Sequence, residues 1–119
     1  MSIKDLIGKY QIIGTNQDDT GNTYKGILYL SLRDDNSINA KWIINNTQEQ
    51  FGTGFFKDNL LTIHFYYEGE NDIIYKGKVN YKCLTKNILE GTWTEELGAS
   101  EFIGTENCFR VLTTNEIVN

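Results

Sequence analysis

A chain of 119 residues makes one domain, long enough to bury a core without metal or disulfide staples. Its net charge of −5 comes with no visible basic stripe, which argues against nucleic-acid binding and against docking on anionic membranes. No apolar run approaches the roughly 20 residues of a membrane helix.

Met1-Ser2-Ile3-Lys4-Asp5-Leu6 lacks the charged start and apolar stretch of a signal peptide, so the expected location is cytoplasmic, or outside by signal-less export. Residues 2–7 suit one short helical turn, with Ser2 and Asp5 at capping-box spacing. From there the pattern is strand and turn throughout. The expected strands are Gly8–Thr15, Thr23–Arg33, Ser37–Ile44, Gln48–Lys57, Leu60–Glu68, Ile73–Thr85, Ile88–Glu95 and Glu101–Leu112. Turn-forming residues join them, among them Asp34-Asp35-Asn36, Asn45-Asn46, Asp58-Asn59 and Lys86-Asn87. Asp-Asn and Lys-Asn suit two-residue hairpins because Asn tolerates positive φ.

Leu89-Glu90-Gly91-Thr92-Trp93-Thr94 shows the alternation best: Leu89, Gly91 and Trp93 share one face, and Glu90, Thr92 and Thr94 the other. Gly91 there makes room for a large indole or lets the strand bend tightly. Eight consecutive strands with short links form an up-and-down meander, and closing it removes both exposed edges. The expected fold is therefore all-β, an eight-stranded antiparallel β-barrel over residues 1–112, with 113–119 a C-terminal tail. An eight-stranded barrel is either filled by its own side chains or holds one small ligand.

An echo at an offset of 51 residues supports the same fold. Tyr24 answers to Tyr75, Trp42 to Trp93 and Phe51 to Phe102, so four strands plus links would match the next four. Either true repetition or convergence of similar hairpins would produce it. Alternation places Tyr10, Ile12, Tyr24, Leu28, Leu30, Trp42, Ile44, Phe56, Ile63, Phe65, Tyr67, Tyr75, Val79, Tyr81, Leu89, Trp93 and Phe102 indoors. The phase of the second and fourth strands stays open, because both of their faces are apolar.

Gly8-Lys9-Tyr10 at the start, Gly91-Thr92-Trp93 and Arg110 near the end resemble the calycin-type barrels, meaning lipocalins, fatty-acid-binding proteins and the avidin-like group. Tyr10 stands where lipocalins have a tryptophan covered by an arginine from the last strand, so the resemblance implies that Arg110 stacks on Tyr10. The fuller set also looks like small, largely uncharacterised bacterial avidin- and lipocalin-like barrels, a group with no established activity. It comprises Gly14-Thr15-Asn16, Tyr24-x-Gly26, Trp42, Gly52-x-Gly54, Leu89-x-Gly91-x-Trp93 and Gly104-Thr105-Glu106. Avidin's biotin site needs more tryptophans than Trp42 and Trp93, and its first-loop Asn-x-x-x-Ser spacing is missing after Asn16. Biotin is accordingly not the expected ligand, and the chain is short for a lipocalin's long calyx.

Glu106 falls on an inward face, where a carboxylate must be paired, hydrogen-bonded or protonated. Arg110 or tyrosine hydroxyls are its expected partners, and the functional alternative is a pocket acid or an anchor for a cationic ligand group. His64, the sole histidine, faces outward with no clustered ligands, so neither a metal site nor a catalytic triad is expected. Asp18-Asp19-Thr20-Gly21-Asn22 lacks the spacing of a calcium loop. Cys83 and Cys108 fall on the sixth and eighth strands, which are not neighbours, and read as reduced, buried thiols.

Odd-numbered links gather at one end of the barrel with Asp18, Asp19, Glu49, Glu68, Glu70, Asp72, Glu95, Glu96 and Glu101. An opening there would favour neutral or cationic ligands, or a basic protein partner; acidic loops that simply maintain solubility are the plainer alternative. The candidate ligand-binding residues are Tyr10, Tyr24, Trp42, Tyr67, Tyr75, Trp93, Glu106 and Arg110. No cofactor and no catalytic set is expected. The leading expectation is a non-enzymatic binding module. A protein-interaction role such as intracellular peptidase inhibition, or a small enzyme using Glu106 and a tyrosine as acid and base, are the alternatives.

Overall fold

The computed structural model describes residues 1–98 and 102–112. Eight antiparallel strands close into a barrel: β1 (Gly8–Thr15), β2 (Thr23–Leu32), β3 (Ile38–Ile44), β4 (Gln48–Lys57), β5 (Leu60–Glu68), β6 (Ile74–Thr85), β7 (Ile88–Glu95) and β8 (Gly104–Arg110). Each strand pairs with the next, and β8 returns to β1 with Tyr10 opposite Arg110. The up-and-down order is the one that the alternation predicts.

Strand ends differ from expectation where a turn takes the backbone groups. Arg33 N–H donates to the Ser37 carbonyl, and Asp35 accepts from both the N–H and hydroxyl of Ser37, so β2 stops at Leu32 and β3 starts at Ile38. Phe102 and Ile103 precede β8 without joining it. Ala99, Ser100, Glu101 and the expected tail, 113–119, lie outside the described residues. The fifth link holds a short 3₁₀ turn, Glu70–Asp72, where Asn71 has φ near 60°.

Two hairpins turn as the asparagine argument requires: Asp58 and Asn59 have φ of 53° and 64°, Asn45 and Asn46 of 51° and 67°. Lys86-Asn87 does not. Neither residue has a positive φ, and a bulge between Cys83 and Thr85 takes up the mismatch instead.

The two ends of the barrel are built differently. An N-terminal 3₁₀ turn, Ile3–Leu6, caps one end and drives Leu6 into the core. Its Ser2 backbone N–H donates to Asp5, as the capping spacing anticipates. The Tyr10 hydroxyl donates to the Leu6 carbonyl at 2.8 Å, and Arg110 donates to the carbonyls of Asp5, Ile7 and Lys86. Arg110 also lies 4.9 Å from the centre of the Tyr10 ring, the stacking that the lipocalin resemblance implies. This end is shut.

Above it, Ile12, Leu28, Leu30, Ile63 and Leu89 fill the interior. Ile38, Ala40, Leu61, Cys83 and Cys108 join them; alternation put the two thiols indoors but left the other three off the interior set. Tyr24, Phe56, Tyr67 and Trp93 are half-buried against that core. Tyr75 and Phe102 are also only half-buried. The open phases resolve: Leu28 and Leu30 point in, while β4 turns Gly52 and Gly54 inward and leaves Phe55 outside. A side chain at either glycine would strike Ile63 of β5. On the outer wall, Lys9 faces Tyr29, Lys41 faces Phe51, and Phe51 packs on Tyr66 at 5.9 Å, contacts that hold the register between β1 and β5.

Candidate ligand-binding cavity

One row of residues, taken straight across five strands, builds the site. Tyr24 of β2 stands opposite Gly14 of β1, and Gly14 opposite Glu106 of β8. On its other side Glu106 faces Gly91 of β7, and Gly91 faces Tyr81 of β6. Two glycines thus flank the carboxylate, and each is overlaid by the tyrosine beyond it. A Cβ on Gly14 would sit 2.2 Å from the Tyr24 ring, and one on Gly91 would sit 2.6 Å from the Tyr81 ring. Without those side chains both hydroxyls reach inward. Tyr24 donates to Glu106 Oε1 at 2.7 Å, Tyr81 donates to Oε2, and Trp42 Nε1 donates to Oε2 at 3.2 Å. Gly91 therefore serves Tyr81 and Glu106; the glycine that makes room for the Trp93 indole is Gly104 on β8, where a Cβ would lie 2.1 Å from the ring.

Above this floor lies a cavity of about 210 Å³, so the interior is solid at the capped end and hollow at the other. Four rings wall it. Tyr24 and Trp93 meet with centroids 6.4 Å apart at 62°, Trp93 and Phe65 at 6.4 Å and 79°, Phe65 and Trp42 at 6.1 Å and 67°. Each pair meets edge to face, an arrangement that aromatic quadrupoles favour, so the rings form a box rather than a stack. Glu106 closes the circuit by accepting from both Trp42 and Tyr24. Towards the mouth the lining continues with Asn16 and Asn45 from the links after β1 and β3, Gln48 and Gln50 of β4, and Glu95 at the end of β7.

Burial dominates the electrostatics. Glu106 is 5% exposed, and the loss of water pushes its carboxyl up even though three hydrogen bonds pull the other way. Tyr24 and Tyr81 are pushed up by burial, then by the neighbouring Glu106, so both keep their protons. Nearer the mouth, Tyr67 donates to Glu95 at 2.5 Å and stacks on Tyr75 with centroids 5.2 Å apart. Among the described residues Trp93 Nε1 is the buried side-chain atom without a hydrogen-bond partner. No group of three or more potential metal ligands occurs among them.

Of the residues expected to bind ligand, Tyr24, Trp42, Tyr67, Trp93 and Glu106 come together on the cavity wall. Tyr75 backs Tyr67 without lining the space. Tyr10 and Arg110 sit at the capped end, so of the two expected partners of Glu106 the structure selects the tyrosine hydroxyls. Burial at that end pushes Tyr10 up to about 12. Phe65 and Tyr81 read as interior but not as site residues. The sequence signal for them was the glycine across the strand: Gly77 opposite Phe65 and Gly91 opposite Tyr81. His64 is exposed, as expected.

No protein-family model and no curated protein matches the chain. Solved structures do. The barrel is similar to a redesigned β-barrel at 17% identity and a TM-score of 0.75, covering 93% of this chain and 96% of that one. It is also similar to a redesigned β-barrel bound to DFHBI, at 21% identity and 0.68, covering 89% and 99%. A third is a de novo designed fluorescence-activating barrel, at 10% identity and 0.67, covering 92% and 96%. These likenesses are of fold: a small, closed, eight-stranded meander.

Proposed function

We propose that this protein is a non-enzymatic binding module that holds one small neutral or cationic molecule in the aromatic cavity. The observation that carries this reading is the asymmetry of the barrel, plugged at one end and hollow above a hydrogen-bonded polar floor at the other. A concave space where aromatic rings and convergent polar side chains meet has the character of a small-ligand site. The mouth lies among links bearing Asp18, Asp19, Glu70, Asp72 and Glu96, whose field would repel anions and concentrate cations. Barrels of the same shape described as bound to the small dye DFHBI support it by analogy of fold. Kinship with lipocalin- or avidin-like binders and a cytoplasmic setting belong to the same proposal.

A thermal-shift panel of cationic, neutral and anionic small molecules tests it. Ligands that bind the native barrel alone raise its melting temperature by mass action. Stabilisation by neutral or cationic compounds is expected; stabilisation by anions alone, or by nothing, would refute the proposal. In the last case the acidic rim is left as a surface for a basic protein partner, for instance a peptidase.

A second reading has its own support, because Glu106 is a buried carboxyl flanked by two tyrosines inside the cavity. That is a plausible acid–base pair for a small enzyme. Turnover of a panel hit, abolished by Glu106→Gln, would establish it.

A further inference from the structure

The cavity has two kinds of attraction for positive charge and no positive charge of its own. Tyr24, Trp42, Phe65, Tyr67, Tyr81 and Trp93 line it among neutral amide and aliphatic side chains, and it holds carboxyl groups at two depths, Glu106 on the floor and Glu95 towards the mouth. Among the described residues no lysine, arginine or histidine lines it. Every hydrogen-bond donor to Glu106 is neutral: two phenols and an indole. The arginine nearest in sequence, Arg110, is spent at the opposite end on backbone carbonyls. Once ionised, a buried carboxylate needs a positive partner, and the groups hydrogen-bonded to Glu106 carry none.

We propose that the box is a receptor for a small organic cation, a quaternary or alkylated ammonium group held between the aromatic faces with Glu106 beneath it. The inference rests on the ligand-binding reading above and narrows it. Aromatic cages bind such groups because the ring quadrupole attracts a cation whose alkyl surface also prefers to leave water. Size agrees: a cavity of about 150 Å³ accepts benzene, and this one, at about 210 Å³, has room for a small ammonium compound and little more.

A proton accompanies the cation. The groups packed on Glu106 are Tyr24 from β2, Trp42 from β3 and Tyr81 from β6, with Gly14 of β1 and Gly91 of β7 on either side and Cys108 on its own strand. Tyr24, Tyr81 and Cys108 are all pushed up by burial, so none gains charge in the neutral range. Of these groups, Glu106 is the one that can respond. An entering ammonium favours its ionised form, so binding releases up to one proton and tightens as pH rises, until Glu106 is ionised in the empty barrel.

Isothermal titration with choline and with its neutral isostere 3,3-dimethylbutan-1-ol tests the charge requirement on the unmodified protein. We expect the cation to bind about tenfold tighter, within the range that desolvated cation–π contacts supply. Repeating the choline titration in buffers of different ionisation heat should reveal the released proton. Glu106→Gln should weaken choline by about tenfold while changing the isostere less than about twofold. Trp93→Phe, which keeps a ring but a poorer one, should weaken choline alone if the glutamine variant fails to fold. Equal binding of the two isosteres would overturn the cation inference and leave the ligand-binding reading intact. So would stabilisation by neutral compounds in a thermal-shift panel with no binding of choline or tetramethylammonium. No binding by any class of compound would overturn both.

Discussion

Glu106 can be ionised only at a cost, because the strands around it exclude water and its neighbours donate hydrogen bonds without bringing charge. Its native carboxyl therefore holds a proton above the ordinary value of 4.5, at which the unfolded chain lets go. Stability from this group is complete below the ordinary value and is lost as pH rises through the raised one. Glu106→Gln removes the slope. Denaturant melts across that window should show the parent losing stability relative to the variant as pH rises, with the difference levelling once the native carboxyl ionises. A flat difference would mean that Glu106 titrates normally. The glycine partners are equally specific. Gly104→Ala should destabilise by about 1–3 kcal/mol, as overpacking does. Adding Trp93→Phe should recover part of that loss, because the new methyl group collides with the indole; a double-mutant cycle measures the coupling.

At the scale of the element, Arg110 joins buried Leu6 and the Tyr10 hydroxyl in holding the N-terminal turn on the barrel. Arg110 reaches it with donors to the Asp5 and Ile7 carbonyls, and the same guanidinium engages Lys86 and the Tyr10 hydroxyl. Lysine cannot reproduce that fork. Arg110→Lys should cost about 2 kcal/mol, in the range for hydrogen bonds to a charged group. It should leave any ligand affinity unchanged, since the cavity lies at the other end. The strands themselves were readable from alternation, and four of the eight keep their expected ends. Where both faces are apolar, as in β4, alternation has no contrast to report; the inward face there turned out to be glycine, which a hydrophobicity pattern passes over. The Lys86-Asn87 hairpin was misjudged for a different reason. A bulge on β6 absorbed the strain that positive φ relieves in the Asp58-Asn59 turn.

Across the whole molecule, closure could be inferred because it leaves no unpaired edge, and the meeting of Tyr10 with Arg110 followed from closure together with the lipocalin resemblance. The cavity floor was half legible. Glu106 and the tyrosines could be placed indoors, but which tyrosines reach the carboxyl depends on a register running through Gly14 and Gly91 from residues far apart in the chain. Cysteine behaviour follows from the same register: Leu89 of β7 stands between Cys83 and Cys108. Both thiols are free, Cys83 is pushed up to about 11 by burial, and Cys108 is pushed up as well. A thiol reagent should accordingly leave both unlabelled in the native protein and modify both after unfolding, and reductant should leave the melting temperature unchanged.

The plug formed by Leu6, Tyr10 and Arg110 has a kinetic corollary. A vessel with a single doorway admits no through-traffic, so an incoming molecule cannot push a resident out from behind. Exchange must be sequential: the first guest departs before the second arrives. Its departure rate, measured by chasing with excess competitor, should then be independent of how much competitor is supplied.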